Sequence, residues 1–408
     1  MTRKLMNTIS SQKKAEVIII GGGPVGLVTA LKLTAAGISV IVIEKSNEPY
    51  AEPRASTFHP PTLDLLDELN ITDKLLSSGR KSNKWQFSFF NSNESAVFNL
   101  DLLSKETNHP YRLQCEQINL VQEASKQLMN LNRDSLFYNT HALNITHKED
   151  EVTVVAEREG EKLFFSGKWL IGSDGANSTV RKSLSIQFNG DTYPTSSISI
   201  NSSFPFHEFL TNLYGVNYFW ANDWSFSMFR TKSFWRIGYS PSGNLSDQDA
   251  INKDNVYKQL SKIVPNIDNF KIQSAVVYKI HKRLVKSFRK GRILLAGDAA
   301  HLNSPSGGFG MNGGIHDAFN LSEKLIKVFN GSDTKLLDLY SKQRKHAASE
   351  DIQRTSDSNY KKHREKDDKK RLSALKELQS ISKNKEKCLE YLRQTSLISS
   401  LYNASKIN

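Results

Sequence analysis

Ala15-Glu16-Val17-Ile18-Ile19-Ile20-Gly21-Gly22-Gly23-Pro24-Val25-Gly26 opens the stretch that decides the fold, and Leu27 to Glu44 completes it. Ala15 to Ile20 is β-branched and apolar and stops at glycines, which reads as a buried strand. Val25 to Ala36 has apolar residues at helical spacing and ends at Gly37, a natural helix cap. Ser39 to Glu44 is a second apolar strand. A unit of this kind demands a right-handed crossover and a parallel sheet. Gly21, Gly23 and Gly26 form a G-x-G-x-x-G between strand and helix, where glycines permit a tight turn, close approach to a pyrophosphate and close helix packing. The helix start adds free amides and partial positive charge facing the phosphates. Glu44, at the end of the second strand and followed by Lys45, is placed to accept hydrogen bonds from a ribose hydroxyl. The stretch therefore predicts dinucleotide binding through Gly21, Gly23, Pro24, Val25, Gly26, Glu44 and Lys45.

Two further strand ends repeat the arrangement. Ile171-Gly172-Ser173-Asp174-Gly175 ends one apolar run and Leu294-Leu295-Ala296-Gly297-Asp298 ends another. Each puts an aspartate and a glycine where open α/β sheets present ligands. Either aspartate taken alone reads equally as a cap for the following helix. After the second comes Pro305-Ser306-Gly307-Gly308-Phe309-Gly310-Met311-Asn312, a glycine-rich loop opening a helix. Such a loop lets backbone amides approach a planar ring, and the helix start places positive potential beside it.

These segments, with Pro53-Arg54-Ala55, resemble the group A flavoprotein monooxygenases, the aromatic hydroxylases typified by para-hydroxybenzoate hydroxylase and phenol hydroxylase. The resemblance spans roughly residues 14 to 345. It implies bound FAD, with Glu44 at the adenosine ribose and Arg54 and Gln117 touching the cofactor, although Gln114 competes with Gln117 for that place. Asp298 is implied at the ribityl chain and Asp174 and Gly175 near the pyrophosphate. Pro305, Gly308, Gly310, Met311 and Asn312 are implied at the flavin ring, the last two through main-chain groups. Relatives often carry Gln where Phe309 stands. NADPH or NADH is the implied reductant, visiting rather than occupying its own domain. O₂ is then activated as a flavin C4a-hydroperoxide that hydroxylates a small aromatic or polyketide-like substrate. The chemistry belongs to the flavin, so no side chain is assigned a catalytic role. His301, His316 and His59 are read as structural or hydrogen-bonding, and no metal is expected.

The fold class that follows is α/β with an α+β second domain. A Rossmann-like FAD-binding domain (14–82, 106–184 and 284–345) interleaves with an antiparallel-sheet substrate domain (83–105 and 185–283), and a helical C-terminal region (346–408) follows. Pro60 to Leu76 reads as one helix, and Trp85, Phe87 and Phe89 alternate with polar residues as one arm of a hairpin. The aromatic strands from Ser196 to Tyr239 are expected to roof the substrate, with Tyr218, Trp220, Arg230 and Trp235 lining the pocket. Arg236 is a second arginine there for an acidic substrate. Each of these residues reads equally as sheet core.

Composition narrows the remainder. At 38% hydrophobic and 24% charged residues the chain is far from a disordered profile. Val17 to Ile43 is the most apolar stretch, but its glycines break the run of about 20 residues that a membrane helix needs. A cytoplasmic monomer or homodimer is expected, with Cys115 and Cys388 reduced. The charge of +13 leans on the C-terminal third, where the run from Lys361 to Arg371 mixes both signs and is read as a solvated helix face, with peripheral contact to anionic membrane left open. No nucleic-acid signature accompanies it. Two other readings stay open: an FAD-dependent reductase of isoprenoid-type double bonds, and a flavin-binding protein without turnover. A flavin-dependent halogenase is disfavoured, because Trp235-Arg236-Ile237-Gly238 does not supply a Trp-x-Trp-x-Ile-Pro segment.

Overall fold

The computed structural model describes residues 12–49, 55–241 and 245–408. Its central layer is a six-stranded sheet in the order Arg289–Lys290, Ile293–Leu295, Trp169–Gly172, Val17–Ile20, Val40–Ile43 and Leu136–Phe137. All neighbours run parallel except the Arg289–Lys290 edge. The strands are apolar on both faces because both are covered. Helices Pro24–Ala35, Gln117–Leu131 and Gly310–Phe329 contribute to the same core. Parallel pairing puts the C-terminal ends of Val17–Ile20, Trp169–Gly172 and Ile293–Leu295 on one edge.

The second layer is a seven-stranded sheet. Its order is Ile272–Tyr278, Ser197–Ser202, Trp235–Tyr239, Ser225–Arg230, Val216–Trp220, Lys84–Phe89 and Ser95–Asn99. It departs from the all-antiparallel expectation at one joint: Val216–Trp220 pairs parallel with Lys84–Phe89. That strand arrives from far upstream in the chain, so no hairpin dictates its direction. One face carries Trp85, Phe87, Val216 and Trp220, and the other carries Phe226, Met228, Trp235 and Ile237.

One element boundary differs from the sequence reading. The predicted helix from Pro60 to Leu76 is two helices, Pro60–Asp67 and Thr72–Ser78. Asn70 adopts φ 54° between them, a left-handed turn that asparagine tolerates. The chain leading to the second strand end forms two strands, Glu161–Gly167 and Trp169–Gly172, in different sheets. Gly167 marks the switch, since a Cβ there would meet the Ala15 carbonyl at 2.8 Å.

The C-terminal helices Asp368–Lys383 and Lys385–Thr395 bury Leu375, Leu378, Cys388 and Leu392 against Trp85, Phe98 and Trp220. The basic run is correspondingly less solvated than its composition implies. His363 and Arg371 are buried, and Arg371 is wrapped by the carbonyls of Glu365, Ala221 and Asn222. Lys361, Lys366, Lys369 and Lys370 stay exposed, beside the exposed Asp367 and Asp368. Among the described residues no helix is long and apolar enough to cross a membrane.

Candidate active site

The three strand ends gather into one cradle. A Cβ on Gly21, at φ 108°, would meet the Ser173 carbonyl oxygen at 2.5 Å, and one on Gly26 would meet the Gly21 carbonyl oxygen at 1.9 Å. Val25 reaches the third strand end, lying 2.9 Å from a Cβ built on Gly297 and 2.7 Å from one on Gly314. Glu44 is fixed from both sides: one carboxylate oxygen accepts from the Gly22 amide (2.6 Å), the other from the amide and hydroxyl of Ser46 (both 2.8 Å). Lys45 is exposed. Asp174 accepts from the amides of Thr179 (2.6 Å) and Val180 (3.1 Å), so it does cap the following helix. Its other oxygen is buried with no hydrogen-bond partner. Burial raises its pKa against those opposing hydrogen bonds. Arg181 stitches this loop to the third strand end through the carbonyls of Ala176 and Ala299.

Gly175 takes φ 77° and Gly297 φ 59°, both left-handed. Asp298 is exposed. Gln117 is half-buried at its helix start, whereas Gln114 is buried, accepts from Thr57 (3.0 Å) and leaves its amide nitrogen without a partner. Arg54 lies outside the described residues. Together these features fit FAD: glycines clear a path at the helix start, Glu44 is braced beside it, and buried polar atoms of Asp174 and Gln114 lack protein partners.

The glycine-rich loop is pinned from beneath by Asn312. Its side chain accepts from the His59 amide (2.9 Å) and donates to the carbonyls of Thr57 (2.8 Å) and Gly308 (2.7 Å). His59 also engages the Gly307 carbonyl through Nε2 (2.8 Å). Phe309 is fully buried against Ile352 and Leu397 and stacks on His59 at 5.5 Å. It anchors the loop to the C-terminal helices. Met311 is buried, while Pro305 is exposed and its carbonyl accepts from Gly308 (3.0 Å). Below lies a buried charge cluster, in which Asp317 binds His301 (2.8 Å), Arg344 (2.6 Å) and the Gly297 amide (2.9 Å).

A cavity opens beside this loop. Trp85, Phe87 and Tyr218 form its sheet wall, Arg112 comes from strand Arg112–Gln114, and Ser306, Gly307 and Phe309 come from the loop. Asn359 and His363, then Tyr391 and Thr395, close it from two C-terminal helices. Of the four residues expected here, only Tyr218 lines it. Trp220 lies behind, donating to the Lys362 carbonyl (3.1 Å). Arg230 and Trp235 sit on the opposite sheet face, since Val216 pairs with Phe229 and Arg230 with Trp235. Arg236 shares the Tyr218 face but donates to Asn201 (3.0 Å) and Ser56 (2.9 Å). Arg112, His363 and Tyr391 escaped the sequence reading. A charge in the short strand Arg112–Gln114, all three residues of which are buried, was the one available signal.

Burial holds three histidines neutral. It pushes His316 and His363 down to about 3 and His59 down as well. Unfolded imidazoles take up protons from about pH 6.5 downward, which the folded sites resist. The unfolded state then binds more protons, so this stability is present above pH 6.5 and is lost as pH falls toward 3. Thermal unfolding midpoints are expected to drop between pH 7 and 5, with a shallower drop in His363→Gln.

With cradle, loop and cavity adjoining, the class is defined. The FAD binding domain family matches residues 14–355, and the chain belongs to that family, the group A flavoprotein aromatic monooxygenases. The chain is 32% identical to para-nitrophenol 4-monooxygenase of Pseudomonas sp. strain WBC-3, over 87% of this chain and 89% of that protein. It is 31% identical to 6-hydroxy-3-succinoylpyridine 3-monooxygenase HspB of Pseudomonas putida strain DSM 28022 / S16, over 93% and 97%. The crystal structure of p-nitrophenol 4-monooxygenase PnpA from Pseudomonas putida DLL-E4 superposes with a TM-score of 0.88 at 28% identity, covering 94% of this chain and 99% of that one. The protein is an FAD-dependent monooxygenase, and the reductase and turnover-free readings lose their support.

Proposed function

We propose that this enzyme hydroxylates a single-ring aromatic substrate at the cavity beside Ser306–Phe309, with FAD lying along the cradle and NADH or NADPH as reductant. The observation that carries the reading is the adjacency of the three-loop cradle to an aromatic-walled chamber. FAD, when bound, supplies electron transfer from the nicotinamide and the activation of O₂. The chain supplies binding, orientation and exclusion of water.

In this reading Gly21, Gly23, Pro24, Val25 and Gly26 accommodate the pyrophosphate, and Glu44, with Lys45 beside it, meets the adenosine ribose. Asp174, Gly175, Gly297 and Asp298 line the middle of the cofactor, with Gln114 or Gln117 and Arg54 beside them. Gly308, Gly310 and the main chain of Met311 and Asn312 hold the ring, at a helix start whose positive potential stabilises negative charge there. Tyr218, Phe87 and Trp85 flank the substrate. In this reading the enzyme works in the cytoplasm as a monomer or homodimer.

The test is turnover with FAD-loaded protein. A panel of phenols is expected to contain members that accelerate NAD(P)H oxidation, consume O₂ and return a product heavier by one oxygen. Oxidation without an oxygenated product from any member would defeat the reading.

A further inference from the structure

Several arginines are buried in this fold, and the chain's own acceptors meet them to different degrees. Arg344 pairs with Asp317, and Arg371 is ringed by carbonyls. Arg112 is 3% exposed, its Nε has no hydrogen-bond partner, one Nη donates a long 3.4 Å bond to the Thr395 carbonyl, and the Tyr218 hydroxyl lies beside the guanidinium. Among the described residues no carboxylate lies within ion-pairing distance of it. Its guanidinium rests 4.8 Å from the Trp85 ring centre, and Trp85 Nε1 is a second buried donor without a partner. Both residues line the cavity. The titratable groups facing Arg112 are Tyr218, Tyr391 and His59. None of them supplies negative charge at neutral pH, since burial raises both tyrosines and holds His59 neutral.

A buried cation only partly met by acceptors and a buried indole N–H with none are costly unless something from outside completes them. Phe87 and Tyr218 stack on each other at 5.0 Å and Tyr391 closes the far side, so the cavity is walled by aromatic faces that suit an aromatic partner. Resting on the hydroxylase reading above, we propose that Arg112 and Trp85 recognise an anionic oxygen substituent, a phenolate or a carboxylate, on the aromatic substrate. Arg112 thereby determines specificity for anionic over neutral rings. A phenol bound there ionises more readily than in water, because an adjacent positive charge favours the anion.

The experiment uses FAD-loaded protein and three probes: 4-nitrophenol, benzoate and the neutral ether 4-nitroanisole. Binding is read from the flavin absorbance, and ionisation from the phenolate colour of bound nitrophenol across pH. At least tenfold tighter binding of an anionic probe than of the ether is expected, and nitrophenol is expected to ionise at least one pH unit lower when bound. Strong binding by benzoate alone assigns the site to carboxylates, and by nitrophenol alone to phenolates. Arg112→Met should erase the preference, Arg112→Lys should restore part of it, and Trp85→Phe should weaken it while keeping the ring. If Arg112→Met fails to fold, the wild-type ionisation shift and Trp85→Phe decide the matter. Equal binding of ether and anions, with nitrophenol ionising as it does in water, would reduce Arg112 to a structural cation stacked on Trp85. Anion preference without any oxygenated product would instead sink the hydroxylase reading and leave the recognition site standing.

Discussion

Gly26→Ala is expected to purify colourless, with FAD affinity lowered at least a hundredfold, about 2.7 kcal/mol. The added methyl would sit 1.9 Å from the Gly21 carbonyl oxygen and 2.6 Å from the Ser173 hydroxyl. Neither atom can retreat freely. The Gly21 amide bonds the Ile43 carbonyl (2.9 Å), and the Ser173 hydroxyl bonds the carbonyls of Ile20 and Gly21. Relief therefore requires the helix start to move away from the strand, which carries its amides out of reach of the phosphates. Gly23→Ala separates this effect from misfolding. Gly23 has φ −77° and nothing within 4 Å of its would-be Cβ, so alanine fits the apoprotein. A methyl there intrudes only on a bound ligand. Gly23→Ala is expected to melt like the parent yet retain little FAD, as read by absorbance after desalting. Stoichiometric yellow Gly26→Ala protein would contradict the placement of the cofactor.

Asp317→Asn is expected to cost about 3–5 kcal/mol, the usual penalty for leaving one member of a buried ion pair uncompensated. Asp317 and Arg344 are both essentially inaccessible to solvent, and the same carboxylate holds His301 and the Gly297 amide. Burial is the largest single influence and pushes its carboxyl up, but Arg344 and His301 together outweigh it and hold the carboxyl down to about 2. The folded pKa is thus depressed below the unfolded value near 3.9. That stability is fully present above about pH 4 and is lost as pH falls toward 2. Denaturant melts should show the wild type surrendering its advantage over Asp317→Asn across that window. The paired replacement Asp317→Leu with Arg344→Met should recover much of the loss, because it leaves no orphaned charge. An Asp317→Asn chain as stable as the parent at pH 7 would show that the cluster contributes nothing.

The cradle was legible because its signals are local. β-branched runs broken by glycine mark the strand ends, and the spacing of Gly21, Gly23 and Gly26 needs no distant partner to be read. The chamber was not legible to the same degree. Alternation shows that Tyr218 and Trp220 share a face, but whether Trp235 joins them depends on the register set through two intervening turns. Tyr391 and Thr395 stand one turn apart on an amphipathic helix whose pattern matches ordinary core. Arg112 shows its character only once its burial beside Trp85, with its Nε left unpartnered, is visible.

The last wall of the chamber comes from helix Lys385–Thr395, long after the cradle is complete at Gly310–Phe329. A nascent chain on the ribosome can therefore finish its nucleotide seat while the compartment for an aromatic guest still stands open to water. The order of the elements delays a sheltered guest until the closing helix has docked.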